Sequence, residues 1–425
     1  MASILFISFV LIIAIGAPIA LALGLSSLLS VFMGTTLPLS LIPQRMFTAA
    51  DSFPMMAIPF FMLSGALMET GGISRRLINL AEKLVGHLTG GLAMVGIVSC
   101  MFFAAISGSG PATVAAIGGI MVPYMVRAGY DKSFASAVMA IAGSIGIIIP
   151  PSIPMVTYGV VAGASIGAMF MGGILPGALI GLALMVASYF TCKKSGYGIG
   201  EGKFSMKEAL VALKEAFWAI LMPVIILGGI YGGFFTPTEA AAIAVAYGFI
   251  VGFFIYKELK LSDLPDIFIN SAVSTATVML IIAAASVFGW VLTAERIPDA
   301  VAVGFTKLTD NPMVYMLLIN LLLLIVGTFM ETNAAIIILT PIFLPLALKL
   351  GINPIFFGII MVVNLALGMV TPPLGVNLFV ACGISKITIE QITKAVIPLI
   401  IVNIGVIILL TLVPQIILFL PNILM

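Results

Sequence analysis

Apolar runs separated only by short polar breaks fill this chain, and nothing else constrains its fold as strongly. They lie at about 4–33, 54–70, 90–106, 111–126, 134–149, 153–190, 217–235, 238–256, 271–293, 313–330, 333–348, 354–371, 374–384 and 395–420. A helix crossing the hydrocarbon core needs about 20 apolar residues, and lipid offers no partner to a free backbone N–H or C=O. The expected class is therefore an all-α polytopic membrane protein in a lipid bilayer. Composition agrees: 62% of the 425 residues are hydrophobic and 8% are charged. A soluble chain covers its surface with about 25% charged residues. That contrast excludes a soluble enzyme, a nucleic-acid-binding protein and a disordered scaffold together. The net charge of +2 gives no reason to expect an acidic partner, and Lys and Arg do not cluster as phosphate tracking requires.

The chemistry-bearing residues narrow the classes further. Cys100, Cys192 and Cys382 are far apart and odd in number, and read as small packing residues. His87 is the single histidine. A lone His makes no metal site, so neither metal nor Ser/His/Asp chemistry is expected, and no enzyme. No Lys or Arg precedes Arg45, so the first apolar run lacks the basic flank of a cleaved signal peptide and is kept as a membrane segment. Gly16-Ala17-Pro18 within it allows either one tilted helix or a broken pair.

One polar break is long. It runs from Cys192 to Glu215 and carries Lys193, Lys194, Lys203, Lys207 and Lys214 with Glu201, Glu208 and Glu215. A short surface helix is expected from Ser205 onward. The break divides the chain into a first repeat at 1–191, a cytoplasmic linker at 192–216 and a second repeat at 217–425. Sliding the sequence on itself by 222 residues supports the division. Ala112 meets Ala334, Ile120 meets Ile342, Pro123 meets Pro345, Gly129 meets Gly351 and Phe134 meets Phe356. Met139 meets Met361, Gly146 meets Gly368, and Pro150-Pro151 meets Pro372-Pro373. That is nine identities in the forty positions from 112 to 151, five of them Gly or Pro. Apolar composition scatters Ala, Ile and Met matches, but it does not align residues that break helices.

Loop charges give the relative orientation, since Lys and Arg favour the cytoplasmic side. Arg75, Arg76 and Lys83 mark 71–90 as inside, and Arg127 and Lys132 mark 127–133. The linker and the loop with Lys257 and Lys260 are inside as well. The repeat equivalents 294–312 and 349–353 then fall outside. Inverted-topology repeats are the expected arrangement.

Four segments interrupt the plain spans. Ser107-Gly108-Ser109-Gly110-Pro111 and Gly146-Ile147-Ile148-Ile149-Pro150-Pro151-Ser152 lie in the first half. Phe329-Met330-Glu331-Thr332-Asn333 and Gly368-Met369-Val370-Thr371-Pro372-Pro373-Leu374-Gly375-Val376-Asn377 are their partners. The flanking runs are too short to cross comfortably and predict, in each repeat, a re-entrant helical hairpin and a Pro-Pro-broken helix. Unwound backbone survives at membrane depth only where it lines a cavity. There its carbonyls hold a cation such as Na⁺, and half-helix N-termini face a carboxylate. Pro removes ladder donors, while Gly permits close backbone approach. The candidate Na⁺ residues are Ser107, Gly108, Ser109, Gly110, Gly146, Pro150, Thr332, Asn333, Gly368, Thr371, Pro372, Gly375 and Asn377. Substrate contacts are expected from Ser109, Pro151, Ser152, Glu331, Thr332 and Pro373. Any one Ser or Thr here has the alternative role of capping a half-helix.

Glu331 is an acid at a hairpin tip, and an intramembrane acid is a functional candidate by default. Its alternative role is to cap the helix that starts near Thr332. Thr236-Pro237-Thr238-Glu239 has a complete local explanation as a capping box. The 25 Met residues read mainly as packing and lipid-facing groups.

Gly229-Ile230-Tyr231-Gly232-Gly233-Phe234-Phe235-Thr236-Pro237-Thr238-Glu239-Ala240-Ala241-Ala242 resembles the signature of the large membrane subunit, the DctM-like permease, of tripartite ATP-independent periplasmic (TRAP) transporters. The Ser107–Pro111 hairpin, both Pro-Pro breaks and Gly351-Ile352-Asn353-Pro354 are similar to the same family along the whole chain. The resemblance implies a multi-pass protein of the bacterial inner membrane that takes up an organic acid anion with Na⁺, at least two ions being expected. It implies two protein partners, a small membrane subunit of about four helices and a periplasmic substrate-binding protein. It also implies an elevator-type fold similar to divalent-anion/sodium symporters, with two Na⁺ sites, at the first tip with 146–152 and at the second tip with 368–377. The substrate carboxylate would lie between them, near Ser109, Ser152 and Glu331. An acid there suits a polyol hydroxyl, which favours a sialic-acid substrate over a C4-dicarboxylate. A stand-alone anion/sodium symporter or antiporter needing no binding protein is the alternative. A non-transporting membrane scaffold is the second alternative, and it gives no reason for repeat-paired breaks.

Overall fold

The computed structural model describes residues 1–35, 37–198 and 204–424, and every regular element among them is helical. Glu201 and Lys203 of the polar break lie outside the described residues. Among the described residues seven helices are long and apolar enough to cross a membrane, and nine further apolar helices run 10–17 residues. The short ones include the arms of the predicted hairpins and of the broken helices.

The first hairpin descends through Gly91–Ser107 and returns from Gly110, through a π-helical turn at Val114–Gly118, to Arg127. The second descends through Pro312–Gly327 and returns through Thr332–Lys349. After each hairpin, a Gly in left-handed conformation turns the chain, Gly129 with φ +87° and Gly351 with φ +74°. Asp131 and Asn353, related by the 222 offset, then cap the next helices by accepting from backbone N–H groups. Those helices stop at the breaks, where Pro150-Pro151 and Pro372-Pro373 are both cis. The second arms are Ile153–Ala162 and Val376–Ser385.

Packing is reciprocal between the halves. Ile153–Ala162 packs on Thr332–Lys349 and Pro354–Gly368, whereas Val376–Ser385 packs on Gly110–Arg127 and Lys132–Gly143. Each broken helix thus completes the other repeat, the relation expected of halves exchanged about a two-fold axis. Tyr158 locks one side, donating to the carbonyl of Pro354 at 2.7 Å over Gly358, where any Cβ would strike its ring.

A second layer of helices flanks this body. Ala57–Thr70 packs on Pro237–Ile250, and Leu264–Ala294 packs on Ile19–Gly34 and on Thr332–Lys349. The run 4–33 resolves as a broken pair, Ala2–Ala14 and Ile19–Gly34, turning at Gly16 with φ +84°. The segment after Ser205, expected as a short surface helix, is instead the start of one helix, Met206–Tyr231. Its polar first turns reach beyond the apolar stretch because nothing in 206–216 breaks a helix. Ser205 caps it by accepting from the N–H of Glu208 at 3.4 Å. The capping box at Thr236 and Glu239 is present as predicted.

Ile73–Val85 is a surface helix of another kind. It buries Ile73, Leu77, Ile78, Leu80 and Ala81 on one face and turns Arg75, Arg76, Asn79 and Lys83 outward, the pattern of a helix lying along the membrane surface. Lys83 pairs with Glu208 at 2.8 Å, and that carboxylate raises the pKa of its ammonium. Arg76 pairs with Glu258 at 2.6 Å and lies 3.7 Å over the Tyr256 ring. These contacts tie together three of the four segments whose charges mark the inside.

Candidate functional site

The first tip folds on a glycine. Gly108 takes φ +60°, and its Cβ position would stand 2.9 Å from the carbonyl oxygen of Pro151. Its own carbonyl accepts from the N–H of Ile153 at 3.4 Å, so tip and break share one backbone contact. Around it, Ser107 Oγ and Thr113 Oγ1 lie 2.9 Å apart, and Thr113 donates to the carbonyl of Ser109 at 2.7 Å. Ser109 caps the returning helix by accepting from Ala112 N at 3.5 Å. Gly146 is pressed against this web, its Cβ position lying 2.5 Å from Thr113 Oγ1 and 2.6 Å from the Ser109 carbonyl.

The second tip is built differently. Glu331 caps Thr332–Lys349, accepting from Ala334 N at 2.9 Å through one oxygen and from Asn333 Nδ2 at 2.8 Å through the other. Its capping role and its place at the tip therefore coexist. Asn333 Oδ1 accepts from Thr157 Oγ1 at 2.9 Å, a bond across 176 residues and between the two repeats. Gly368 repeats the role of Gly146, its Cβ position falling 2.5 Å from the backbone of Gly327.

Both tips open on one cavity of about 370 Å³. Gly108, Ser109, Gly110, Glu331, Thr332, Asn333 and Gly375 line it, so seven of the sequence candidates meet there. Four helix starts converge on it, at Gly110, Ile153, Thr332 and Val376. No Lys or Arg is among its lining residues. Its partial positive charge comes from backbone N–H groups at helix N-termini, the arrangement that receives a carboxylate or sulfonate, and Glu331 is the one ionisable group on its wall.

The other candidates stand behind the cavity wall. Ser152 is fully buried and is spent on the break itself, donating to the Ile147 carbonyl at 2.6 Å and accepting from Met155 N at 3.4 Å. Thr371 donates to the Leu367 carbonyl at 2.8 Å. Pro150, Pro151, Pro372 and Pro373 form the turns and do not line the cavity, and Gly146 and Gly368 serve packing. Ser107 faces a neighbouring cavity.

Asn377 needs a correction. From sequence it was grouped with the second tip, but it lies against the first. The Cβ position of Gly110 is 3.3 Å from its side-chain amide, and its Nδ2 donates to the Ala140 carbonyl at 3.2 Å. The cause is the reciprocal packing, which carries each broken helix into the opposite repeat. Thr157 crosses the other way. Sequence reading missed Thr157, along with Thr113 and the flanking-layer contributors Ile19, Met62 and Val278. Of these, Thr113 had a local signal, four residues after Ser109 on one helical face.

Two oxygens beside the tips stand without a partner. Asn377 Oδ1 at the first tip and Thr332 Oγ1 at the second are buried and accept or donate no hydrogen bond among the described residues. A buried oxygen without a partner is costly, so these two positions ask for a ligand's contact.

Comparison with known proteins bears on what this fold serves. A family model described as the tripartite ATP-independent periplasmic transporter, DctM component, matches residues 6–416. The chain belongs to this family. It is 52% identical over 416 residues to the isethionate TRAP transporter permease protein DctMQ of Oleidesulfovibrio alaskensis, covering 98% of this chain and 66% of that longer protein. It is 44% identical to the C4-dicarboxylate TRAP transporter large permease protein DctM of Pseudomonas aeruginosa, with 94% of both chains covered. It is 40% identical to the sialic acid TRAP transporter large permease protein SiaM of Vibrio cholerae, covering 96% of this chain and 95% of that one. The crystal structure of the Alcanivorax borkumensis YdaH transporter aligns with a TM-score of 0.65 at 16% identity, covering 96% of this chain and 97% of that one, and shows a common fold. This TRAP permease is thus a multi-pass membrane transport protein and not an enzyme.

Proposed function

We propose that this TRAP permease carries a small organic acid anion into the bacterial cell across the inner membrane, together with Na⁺. Support comes from the single cavity where four helix N-termini and both hairpin tips meet, with an unpaired buried oxygen at each tip. The helix N-termini favour an anion, and the neutral oxygens favour a singly charged cation beside it. Each charge lowers the cost of holding the other in a low-dielectric site. In this reading Na⁺ orders the two tips and creates the anion pocket, so that neither solute moves without the other.

The body from about 90–170 and 312–386 is proposed to move as a unit against 54–89, 217–256 and 271–300, as in an elevator. Small residues line that boundary: a Cβ placed on Gly65 would stand 3.4 Å from the backbone of Ser107, and one placed on Gly289 would stand 3.8 Å from the Pro341 ring. Two partners are proposed, a small membrane subunit and a periplasmic binding protein that delivers the substrate. One oxygen of Glu331 caps the helix and the other accepts from the Asn333 amide, which weakens its support for a polyol. A short sulfonate or dicarboxylate, the substrates in the names of the two more similar relatives above, is therefore favoured over sialic acid.

Uptake of labelled isethionate, succinate and sialic acid into proteoliposomes holding the complete transporter tests this. The expected result is accumulation of one of the first two, driven by an inward Na⁺ gradient. Accumulation driven equally by a proton gradient without Na⁺ would remove the coupling proposal. Uptake by this chain alone would favour a stand-alone symporter.

A further inference from the structure

A second cavity of about 320 Å³ lies beside the first tip, and nothing in the mechanism above uses it. It shares Met62, Ser109, Pro111 and Ile153 with the main cavity, so the two stand in line. The walls differ in character. Glu69, Asn270, Ser271 and Ser274 face it from the flanking layer, opposite Ser107 and Ser109 of the tip. The Glu69 side chain is exposed and makes no hydrogen bond or ion pair among the described residues. Ser271 is only 8% exposed, and its hydroxyl is buried without a partner. The orphaned Ser271 hydroxyl is the unsatisfied group here, and the free Glu69 carboxylate on the same cavity gives it a charged neighbour.

The donors define its class. One carboxylate, one amide and two hydroxyls are hard oxygen ligands with a single negative charge. Among the described residues no group of three or more His, Cys, Asp or Glu gathers anywhere, so a multiply charged metal has no counterpart. Place in the fold adds direction. Glu69 lies in the last turn of Ala57–Thr70, just before the surface helix with Arg75 and Arg76, and Asn270 lies in the second turn of Leu264–Ala294, after Lys257 and Lys260. Both ends belong to the positively charged, cytoplasmic side. Val278, which lines the main cavity, is eight residues further along the same helix, about 12 Å deeper at 1.5 Å per residue.

We propose that Glu69, Asn270, Ser271 and Ser274 form a cation station in the flanking layer, on the cytoplasmic side of the first tip. A monovalent cation leaving the tip is received there before it reaches the cytosol. Its charge neutralises Glu69, which otherwise repels the anion leaving along the same passage. The station rests on the coupling proposed above only for naming the ion as Na⁺.

The test uses Ala66→Cys, which lines the same cavity without removing a ligand, in a chain with Cys382→Ala. The complete transporter in inverted vesicles is treated with a membrane-impermeant thiol reagent, in NaCl or in choline chloride. Na⁺ is expected to slow labelling of the introduced cysteine several-fold. Glu69→Gln is expected to abolish that protection, Glu69→Asp to restore part of it, and Ser271→Ala to weaken it should the Gln variant not fold. Equal labelling in both salts, or Na⁺ protection unchanged by both Glu69→Gln and Ser271→Ala, overturns the station. No labelling in either salt overturns it too, because the polar wall is then covered by the small subunit. Na⁺-driven uptake in the same vesicles is read separately. Intact coupling without protection removes only the station, and protection without Na⁺-driven uptake removes only the coupling.

Discussion

The two hairpin tips descend from one repeat, yet they are built for different work. The first spans only Gly108 and Ser109 between helical residues, is neutral, and is held by its own hydroxyls, Ser107 with Thr113 and Thr113 with Ser109. The second spans Thr328 to Glu331, carries a carboxylate, leaves Phe329 58% exposed, and is held by a bond to the other repeat. The common part is backbone: a glycine of each break pressed on the tip, and a helix start aimed at the cavity. The part that differs is side chain. The two halves share the backbone geometry of the tip and differ in the side chains that hold it. The first resembles a rigid seat and the second a longer flap anchored across the repeat boundary.

The largest expected effect lies in what the tips share. Gly146→Ala and Gly368→Ala each place a Cβ about where backbone already stands, and overpacking of this kind costs about 1–3 kcal/mol. Both are expected to separate tip from break and lower uptake by about ten-fold or more, since a misplacement near 1 Å is enough to disable such a site. Full activity in one of the pair would show that the two breaks are not equivalent.

The next effect separates the tips. Thr113→Val and Thr157→Val each remove a buried hydroxyl bond worth about 1 kcal/mol. Thr113→Val is expected to weaken the response to Na⁺ with little change in thermal stability, because its bonds lie within one tip. Thr157→Val is expected to lower the melting temperature as well, because its bond joins the repeats. The same profile for both would erase the distinction between seat and flap.

Glu331→Gln is expected to have the smallest effect. The cap weakens by about 1 kcal/mol, the usual scale for a lost N-cap, and uptake falls a few-fold. Its counterpart Ser109→Ala is expected to reduce Na⁺-dependent uptake more strongly. A complete loss of uptake in Glu331→Gln, with stability retained, would instead make this carboxylate a direct ligand.

Much of this architecture was legible in the sequence because its punctuation is local. Gly and Pro mark the tips and breaks, the 222 offset pairs them, and apolar length separates spans from hairpins. Crossing the repeats was not legible. Asn377 touches Ala140 over 237 residues and Thr157 touches Asn333 over 176, and neither contact leaves a periodic trace. Ser152 looked like a ligand for the same reason that it caps well: a hydroxyl beside a Pro-Pro turn satisfies the backbone which that turn frees. The start of Met206–Tyr231 was misread because its charged turns resemble a surface helix until the absence of any breaker is weighed.

In the proposed coupling each tip lends a neutral oxygen to Na⁺, Asn377 at the first and Thr332 at the second, both oxygens being buried without a partner among the described residues. Its most direct measurement is the Na⁺ dependence of substrate uptake in proteoliposomes for the unaltered transporter, Asn377→Ala and Thr332→Val. Loss of one ligand is expected to raise the half-saturating Na⁺ concentration about ten-fold in each variant, equivalent to about 1.4 kcal/mol, while uptake at saturating Na⁺ is largely retained. Unchanged Na⁺ dependence in both variants, with uptake intact, would contradict the claim.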